Sequence, residues 1–259
     1  MALLAGGAVP DAIRLGLAMT AIQVSIGGLN DLVDAPLDRG RRPVKPVAEG
    51  LIRPGTVRIV VVAGATIGLG LSAASGLPAL LVAASGAACG YLYDLRLSRT
   101  PWGWLPLAIA IPLVPLYAWV GVAGSPPPAL LPIVPMGMLG GAGLAIGNAL
   151  VDLGTDARAG AKSIAVRLGH ARAWGFHALA LVSALGLALA TLPVPSPPPV
   201  MALVMIGAAA LGTGIFALLL GWRAGRRAMV RLGWQVEALG IAALGVGWLA
   251  GLALGSTAA

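Results

Sequence analysis

The sequence predicts an all-α, polytopic transmembrane helical bundle. Three observations carry that expectation. Of 259 residues, 58% are hydrophobic and only 10% are charged, too little polar surface for a soluble domain of this length. Apolar runs of about 20 residues, each able to cross roughly 30 Å of hydrocarbon, recur from end to end. The runs are built from Ala, Leu and Gly without period-2 alternation, and in lipid only helices or closed barrels satisfy the backbone.

Punctuation by charge and proline places eight spans at about 11–30, 56–74, 77–94, 102–122, 129–151, 172–192, 199–222 and 233–255. Met1 to Val9 is too short to span, lacks a basic region and is followed by Pro10, so no cleavable signal is expected. The turns at Pro126–Pro128 and Pro193–Pro199 are uncharged and proline-rich, as suits tight reversals. Residues 1–259 are expected to form a single transmembrane domain. Cys89 is the sole cysteine, which excludes a disulfide framework and reads as a small core residue. Gly64 with Gly68, Gly86 with Gly90, and Gly137 with Gly141 have the small-xxx-small spacing of close helix packing. The glycine-rich stretch from Gly140 to Gly147 follows no strand and reads as packing rather than a nucleotide loop.

A net charge of +8 would suit nucleic acid, but its distribution excludes that reading. All 17 basic residues except Arg14 fall in four stretches: Arg39–Arg58, Arg96–Arg99, Arg158–Arg172 and Arg223–Arg231. Basic and neutral loops alternate, so every basic loop belongs on one side, which the positive-inside rule makes cytoplasmic. Membrane lipid headgroups take part of this charge. The bias to Arg and Ala suggests a bacterial cytoplasmic membrane.

Internal repetition is the most informative feature. Asn30, Asp34 and Asp38 stand at i, i+4, i+8, and Asn148, Asp152 and Asp156 repeat that spacing 118 residues later. Each triplet closes an apolar span and leads into a basic loop. The only two lysines follow the triplets, Lys45 seven residues after Asp38 and Lys162 six after Asp156. If the helix persists, each triplet points one amide and two carboxylates the same way. Carboxylates at a membrane helix end are costly without a cation, and hard oxygen donors without His or Cys suit Mg²⁺. Mg²⁺ takes one or two carboxylates together with phosphate oxygens. Two such clusters would hold Mg²⁺ and a diphosphate, with Arg42, Lys45, Lys162 and Arg158 neutralising the phosphate charge. Pairing of each Asp with a nearby Arg is the plainer alternative, and the repeated composition and spacing argue against it.

Asn30-Asp31-Leu-Val-Asp34-Ala-Pro-Leu-Asp38, followed by Arg42 and Lys45-Pro46-Val-Ala-Glu-Gly50, resembles the first signature of the UbiA-type intramembrane prenyltransferases. Asp152-Leu-Gly-Thr-Asp156, with Gly160 and Lys162-Ser163, resembles their second. The resemblance implies a helical bundle of about eight to nine spans around a central cavity open to the cytoplasmic side and laterally to lipid. It implies that Asn30, Asp31, Asp34, Asp38, Asn148, Asp152 and Asp156 bind Mg²⁺-diphosphate and that Arg42, Lys45 and Lys162 clamp the diphosphate. The family's Tyr-and-Lys loop corresponds to Tyr91–Arg99, where Tyr93, Arg96 and Arg99 would contact the diphosphate. That loop has no Lys here, so an Arg must supply the charge, and Tyr93 and Asp94 read equally well as interfacial anchors. Only 29 residues precede Asn30, so the family's first helix is expected to be truncated, replaced or absent.

The function implied is Mg²⁺-dependent transfer of a prenyl group from an allylic polyprenyl diphosphate to a small-molecule acceptor, aromatic or another lipophilic ring compound. Asp34, Asp152, Arg42, Lys45 and Lys162 would carry the chemistry. An intramembrane terpene cyclase of the same family is one alternative. A transporter with an acidic cation site is another, weakened because the two motifs are parallel rather than inverted copies. Trp102, Trp104, Tyr117, Trp119 and Phe216 are candidates to stabilise a carbocation, though packing is the commoner role of such aromatics. Glu237, the one acid well inside a span, is expected to pair with Arg231 or Arg227 or to act in function, while His170 and His177 show no ligand spacing and are expected to be solvated or to pack.

Overall fold

The computed structural model of the protein describes residues 1–40 and 44–255. Among the described residues the regular elements are all helical: α1 (Val9–Asp38), α2 (Pro54–Ala73), α3 (Leu77–Leu92) with a π-helical continuation (Tyr93–Leu97), α4 (Leu105–Ala123), α5 (Ile133–Val151), α6 (Leu153–Arg158), α7 (Ile164–Leu168), α8 (His170–Thr191), α9 (Pro198–Arg223) and α10 (Arg227–Gly255). Among the described residues eight helices are long and apolar enough to cross a membrane, the number the sequence predicts. Proline at the first helical positions of α1, α2, α3 and α9 starts them where an amide hydrogen would in any case lack a partner. Two helices outrun the predicted spans: α1 continues through Asp38 and α10 begins at Arg227. Hydropathy marks the stretch that crosses hydrocarbon, whereas polar and basic residues can extend the same helix beyond it.

The chain divides into two compact units. One comprises, of the described residues, 2–40, 44–98 and 113–125. Here α1 and α2 pack with their backbones close, because Gly64 and Gly68 leave no side chain between them. A methyl group at Gly64 would lie 2.7 Å from the Ala21 carbonyl oxygen, and one at Gly68 would lie 2.8 Å from that of Ala18. Gly90 of α3 similarly receives Ile26, while Gly86, the other member of that small-xxx-small pair, meets nothing within 4 Å. Two buried serines of this unit are tied to backbone, as lipid favours. Ser25 Oγ donates to the Val61 carbonyl (2.6 Å) and accepts from Tyr91 (2.7 Å). Ser72 Oγ donates to the Gly68 carbonyl and accepts from Tyr117, both at 2.7 Å. Tyr117 is thus a packed, hydrogen-bonded core residue.

The other unit comprises, of the described residues, 99–112 and 126–255 with Met1. Its main feature is the antiparallel α9–α10 pair. Gly207, Gly214 and Gly221 recur every seventh residue on α9, and Gly233, Gly240 and Gly247 do so on α10. A methyl group at Gly207 would come within 2.9 Å of the Gly240 carbonyl oxygen, and one at Gly233 would come as near to that of Gly214. Gly→Leu at 240 is therefore expected to overpack the pair and cost about 1–3 kcal/mol or more. Gly245 of the same helix meets nothing within 4 Å, so Gly245→Leu should stay within about 0.5 kcal/mol. Denaturation of both variants in one detergent checks the contrast; equal losses would contradict this packing.

Candidate active site

The first acidic motif lies on α1, which stays helical through Asp38 although Pro36 lies inside it. The condition that the spacing argument required is met, so Asn30, Asp34 and Asp38 share a face. Asn30 is the organising side chain. Its amide donates to Asp34 Oδ2 (3.2 Å) and to Asp94 Oδ1 (3.1 Å). Asp94 arrives on the π-helical turn Tyr93–Leu97, where the Ser98 amide reaches back to the Tyr93 carbonyl (2.8 Å). Such a turn inserts a residue into the helical register and redirects the side chains around it. Asp94 is buried, 4% exposed, which excludes the interfacial-anchor reading for it. Tyr93 is half-buried and Arg96 exposed on the same turn.

Lys45 closes the motif from the following loop. Its ammonium lies 2.7 Å from Asp38 and 3.4 Å from Asp31. Gly40, at φ +74°, turns the chain, and its amide donates to Glu49 (2.6 Å). Arg42 lies outside the described residues. Partial burial pulls the Lys45 ammonium down, but hydrogen bonding and charge from Asp38, reinforced by Asp31, outweigh it and hold the group above its ordinary 10.5. A raised value means that this tie is complete below pH 10.5 and is lost as pH rises through the raised value. The group is more than a third exposed, so solvent screening keeps its worth small. Lys45→Met should therefore lower stability by less than about 1 kcal/mol, by the same amount across about pH 6 to 9. A loss that grew across that range in thermal denaturation would contradict the assignment.

The second motif is built differently. α5 ends at Val151, Asp152 sits at the junction, and α6 carries Asp156. The backbone nonetheless keeps the i, i+4 relation: the Asp152 amide bonds the Asn148 carbonyl (3.2 Å) and the Asp156 amide bonds that of Asp152 (2.9 Å). The repeat is thus one of sequence and hydrogen bonding, with a helix break that the spacing alone did not predict. Beyond α6, Gly160 (φ +68°) turns the chain, and the Lys162 amide bonds the Arg99 carbonyl (3.0 Å). The Arg99 guanidinium donates to the Ala159 carbonyl (3.0 Å), and Arg158 donates back to Gly154 (2.8 Å). Each spends one of its five donors on backbone, and both stay exposed, as does Lys162.

The donor set of both motifs is oxygen-only, as Mg²⁺ prefers. Among the described residues no three Asp, Glu, His or Cys side chains converge to form a chelating cage. A Mg²⁺ site that uses one or two carboxylates and completes itself with phosphate oxygens needs none.

A family model described as the UbiA prenyltransferase family matches residues 1–232. The chain belongs to this family. It is an integral membrane protein by this membership and by the long apolar helices among its described residues. A digeranylgeranylglyceryl phosphate synthase from Pyrococcus abyssi is 26% identical over 169 residues, 64% of this chain and 60% of the relative. The chain spans less than two thirds of the curated relatives it matches, 31% and 60% of their lengths. The apo structure of a UbiA homologue from Aeropyrum pernix superposes with a TM-score of 0.73 at 21% identity, covering 95% of this chain and 92% of that one. A UbiA homologue from Archaeoglobus fulgidus bound to GPP and Mg²⁺ has a TM-score of 0.67 at 18% identity, covering 94% and 89%. The UbiA bundle is thus the fold of this chain.

This UbiA-family chain also carries a buried polar pair that the sequence reading did not join. Glu237 of α10 meets His177 of α8, with Oε1 3.1 Å from Nε2 and both residues fully buried. Its expected partners Arg231 and Arg227 are not involved in this contact: Arg231 is six positions away, on another face of the helix. His177 Nδ1 lies 2.8 Å from the Gly143 carbonyl of α5, which can only accept, so Nδ1 carries a hydrogen. The Nε2–Oε1 contact then needs a second proton, held by the imidazole or by the carboxyl group. Gly143, Gly147 and Gly214 make the room: side chains there would collide with Leu181, His177 and Glu237 respectively.

Proposed function

We propose that this protein transfers a prenyl group from a Mg²⁺-bound allylic diphosphate to a lipophilic small-molecule acceptor, releasing pyrophosphate. The observation that carries the reading is the acidic cluster at the end of α1, with Asn30 holding Asp34 and Asp94 and Lys45 set against Asp38 and Asp31. Family membership supports it. Asn30, Asp31, Asp34 and Asp38 of one motif and Asn148, Asp152 and Asp156 of the other bind the Mg²⁺-diphosphate. Mg²⁺, when bound, neutralises charge that grows on the leaving pyrophosphate.

The chain's own cations share that work. Lys45, Lys162 and Arg42 take the diphosphate oxygens, and Tyr93, Arg96, Arg99 and Arg158 support them. The C1–O bond breaks with its electron pair leaving on pyrophosphate, and a nucleophilic atom of the acceptor captures the allylic cation and loses a proton. Apolar helix faces keep water from the cation and give the prenyl tail a path toward lipid. The basic motif loops face the cytoplasm, by the positive-inside rule.

Two acceptor classes follow from different observations. A lipophilic aromatic ring suits capture of an allylic cation by a carbon nucleophile. The name of the curated relatives denotes a prenylated glyceryl phosphate, which makes a glyceryl phosphate the second class. Incubating the protein with Mg²⁺, allylic diphosphates of graded length and either class of acceptor separates them by product mass. A prenylated product with either class supports transfer. A hydrocarbon product formed without acceptor overturns transfer in favour of cyclisation.

A further inference from the structure

Asp94 is absent from the repeated motifs, yet the fold brings it to the first of them. It lies on the π turn after α3, is 4% exposed, and receives the Asn30 amide on Oδ1. Its other oxygen, Oδ2, is buried and has no hydrogen-bonding partner among the described residues. The same amide group serves Asp34 Oδ2, so one NH₂ holds two carboxylates from different helices side by side. Lys45, a cationic side chain of this motif, is engaged by Asp38 and Asp31. A buried carboxylate with an orphan oxygen beside a second carboxylate is costly. Such an arrangement persists when a cation fills it, or when a proton does. The elements here favour the cation: both amide hydrogens of Asn30 point at carboxylate oxygens, which fixes their positions as ligand-orienting hydrogen bonds do. The π turn, a feature frequent at functional sites, is what delivers Asp94.

We propose that Asp94 is an additional cation-binding residue of the first motif, its Oδ2 joining Asp34 in holding a divalent cation while Asn30 bridges and orients both carboxylates. The proposal rests on the metal-binding reading of that motif and adds to it a residue from a third segment of chain. Asp94 and Asp34 supply the one or two carboxylates that Mg²⁺ ordinarily takes from protein, leaving the other positions for water and phosphate oxygens.

The test is Mn²⁺ binding to the full chain in lipid nanodiscs without any diphosphate, read by electron paramagnetic resonance. The isosteric Asp94→Asn should weaken Mn²⁺ binding about 10- to 100-fold, and Asp34→Asn should weaken it at least as much. Unchanged affinity in Asp94→Asn with loss in Asp34→Asn would overturn the proposal and leave the metal reading of the motif standing. Unchanged affinity in both, or no Mn²⁺ binding by the unmutated chain, would overturn both. A second measurement needs no variant: Fe²⁺ with ascorbate and peroxide cuts backbone beside a bound metal. Cleavage near residue 94 as well as near residues 30–34 is expected. Cleavage confined to residues 30–34 would contradict a role for Asp94 even if Asp94→Asn fails to fold.

Discussion

Asp34→Asn and Asp152→Asn are each expected to lower pyrophosphate release at least about hundredfold, the scale of losing one fixed charge-stabilising group at a reacting centre. Asparagine keeps the volume and one oxygen but removes the negative charge that a Mg²⁺-diphosphate requires of its protein ligands. Asp34 shares the Asn30 amide with Asp94, and an asparagine at position 34 could still accept that bond. The fold should therefore survive the change, and thermal denaturation should show it within about 1 kcal/mol of the parent. Asp152 caps the junction of α5 and α6 through its backbone, which the substitution also leaves intact. Full activity in both variants would contradict the assignment of the two motifs.

Glu237→Leu is expected to be the most destabilising single change, at about 3–5 kcal/mol. It leaves His177 Nε2 fully buried without a partner and presses a branched side chain on Gly214, against which the Glu237 stem already packs. Glu237→Gln should be within about 1 kcal/mol of the parent. Because His177 Nδ1 already donates to Gly143, Nε2 can accept, and a glutamine amide can donate to it. The contrast separates a requirement for the hydrogen bond from one for charge. Denaturation of the two variants in the same detergent reads it, and a leucine variant as stable as the parent would contradict the pairing.

The membrane fold was legible because hydropathy and loop charge are properties of contiguous sequence. The first motif was legible for a related reason: its i, i+4, i+8 spacing lies on one unbroken helix. The second was legible as residues but not as shape, since the break at Asp152 depends on how α5 ends and α6 begins. Asp94 was hidden by the π turn, which shifts the register that spacing arguments assume. One local sign was available: no basic residue stands three or four positions either side of Asp94, so an acid within a basic loop lacked a helical partner. The same holds for Glu237, whose partner lies 60 residues away. The glycine ladders of α9 and α10 repeat every seven residues, outside the four-residue spacing that marks small-xxx-small packing. They set how closely the two helices pack, and so the room left for the His177–Glu237 pair.

The central claim is that the two acidic motifs activate an allylic diphosphate. Its most direct test is pyrophosphate release by the purified chain in nanodiscs, supplied with geranyl diphosphate or a longer allylic diphosphate and an acceptor, with and without Mg²⁺. The account predicts release that requires Mg²⁺ and falls to background in the Asp34→Asn, Asp152→Asn double variant. Release that persists without divalent metal or in the double variant, or no release with any allylic diphosphate, would contradict it.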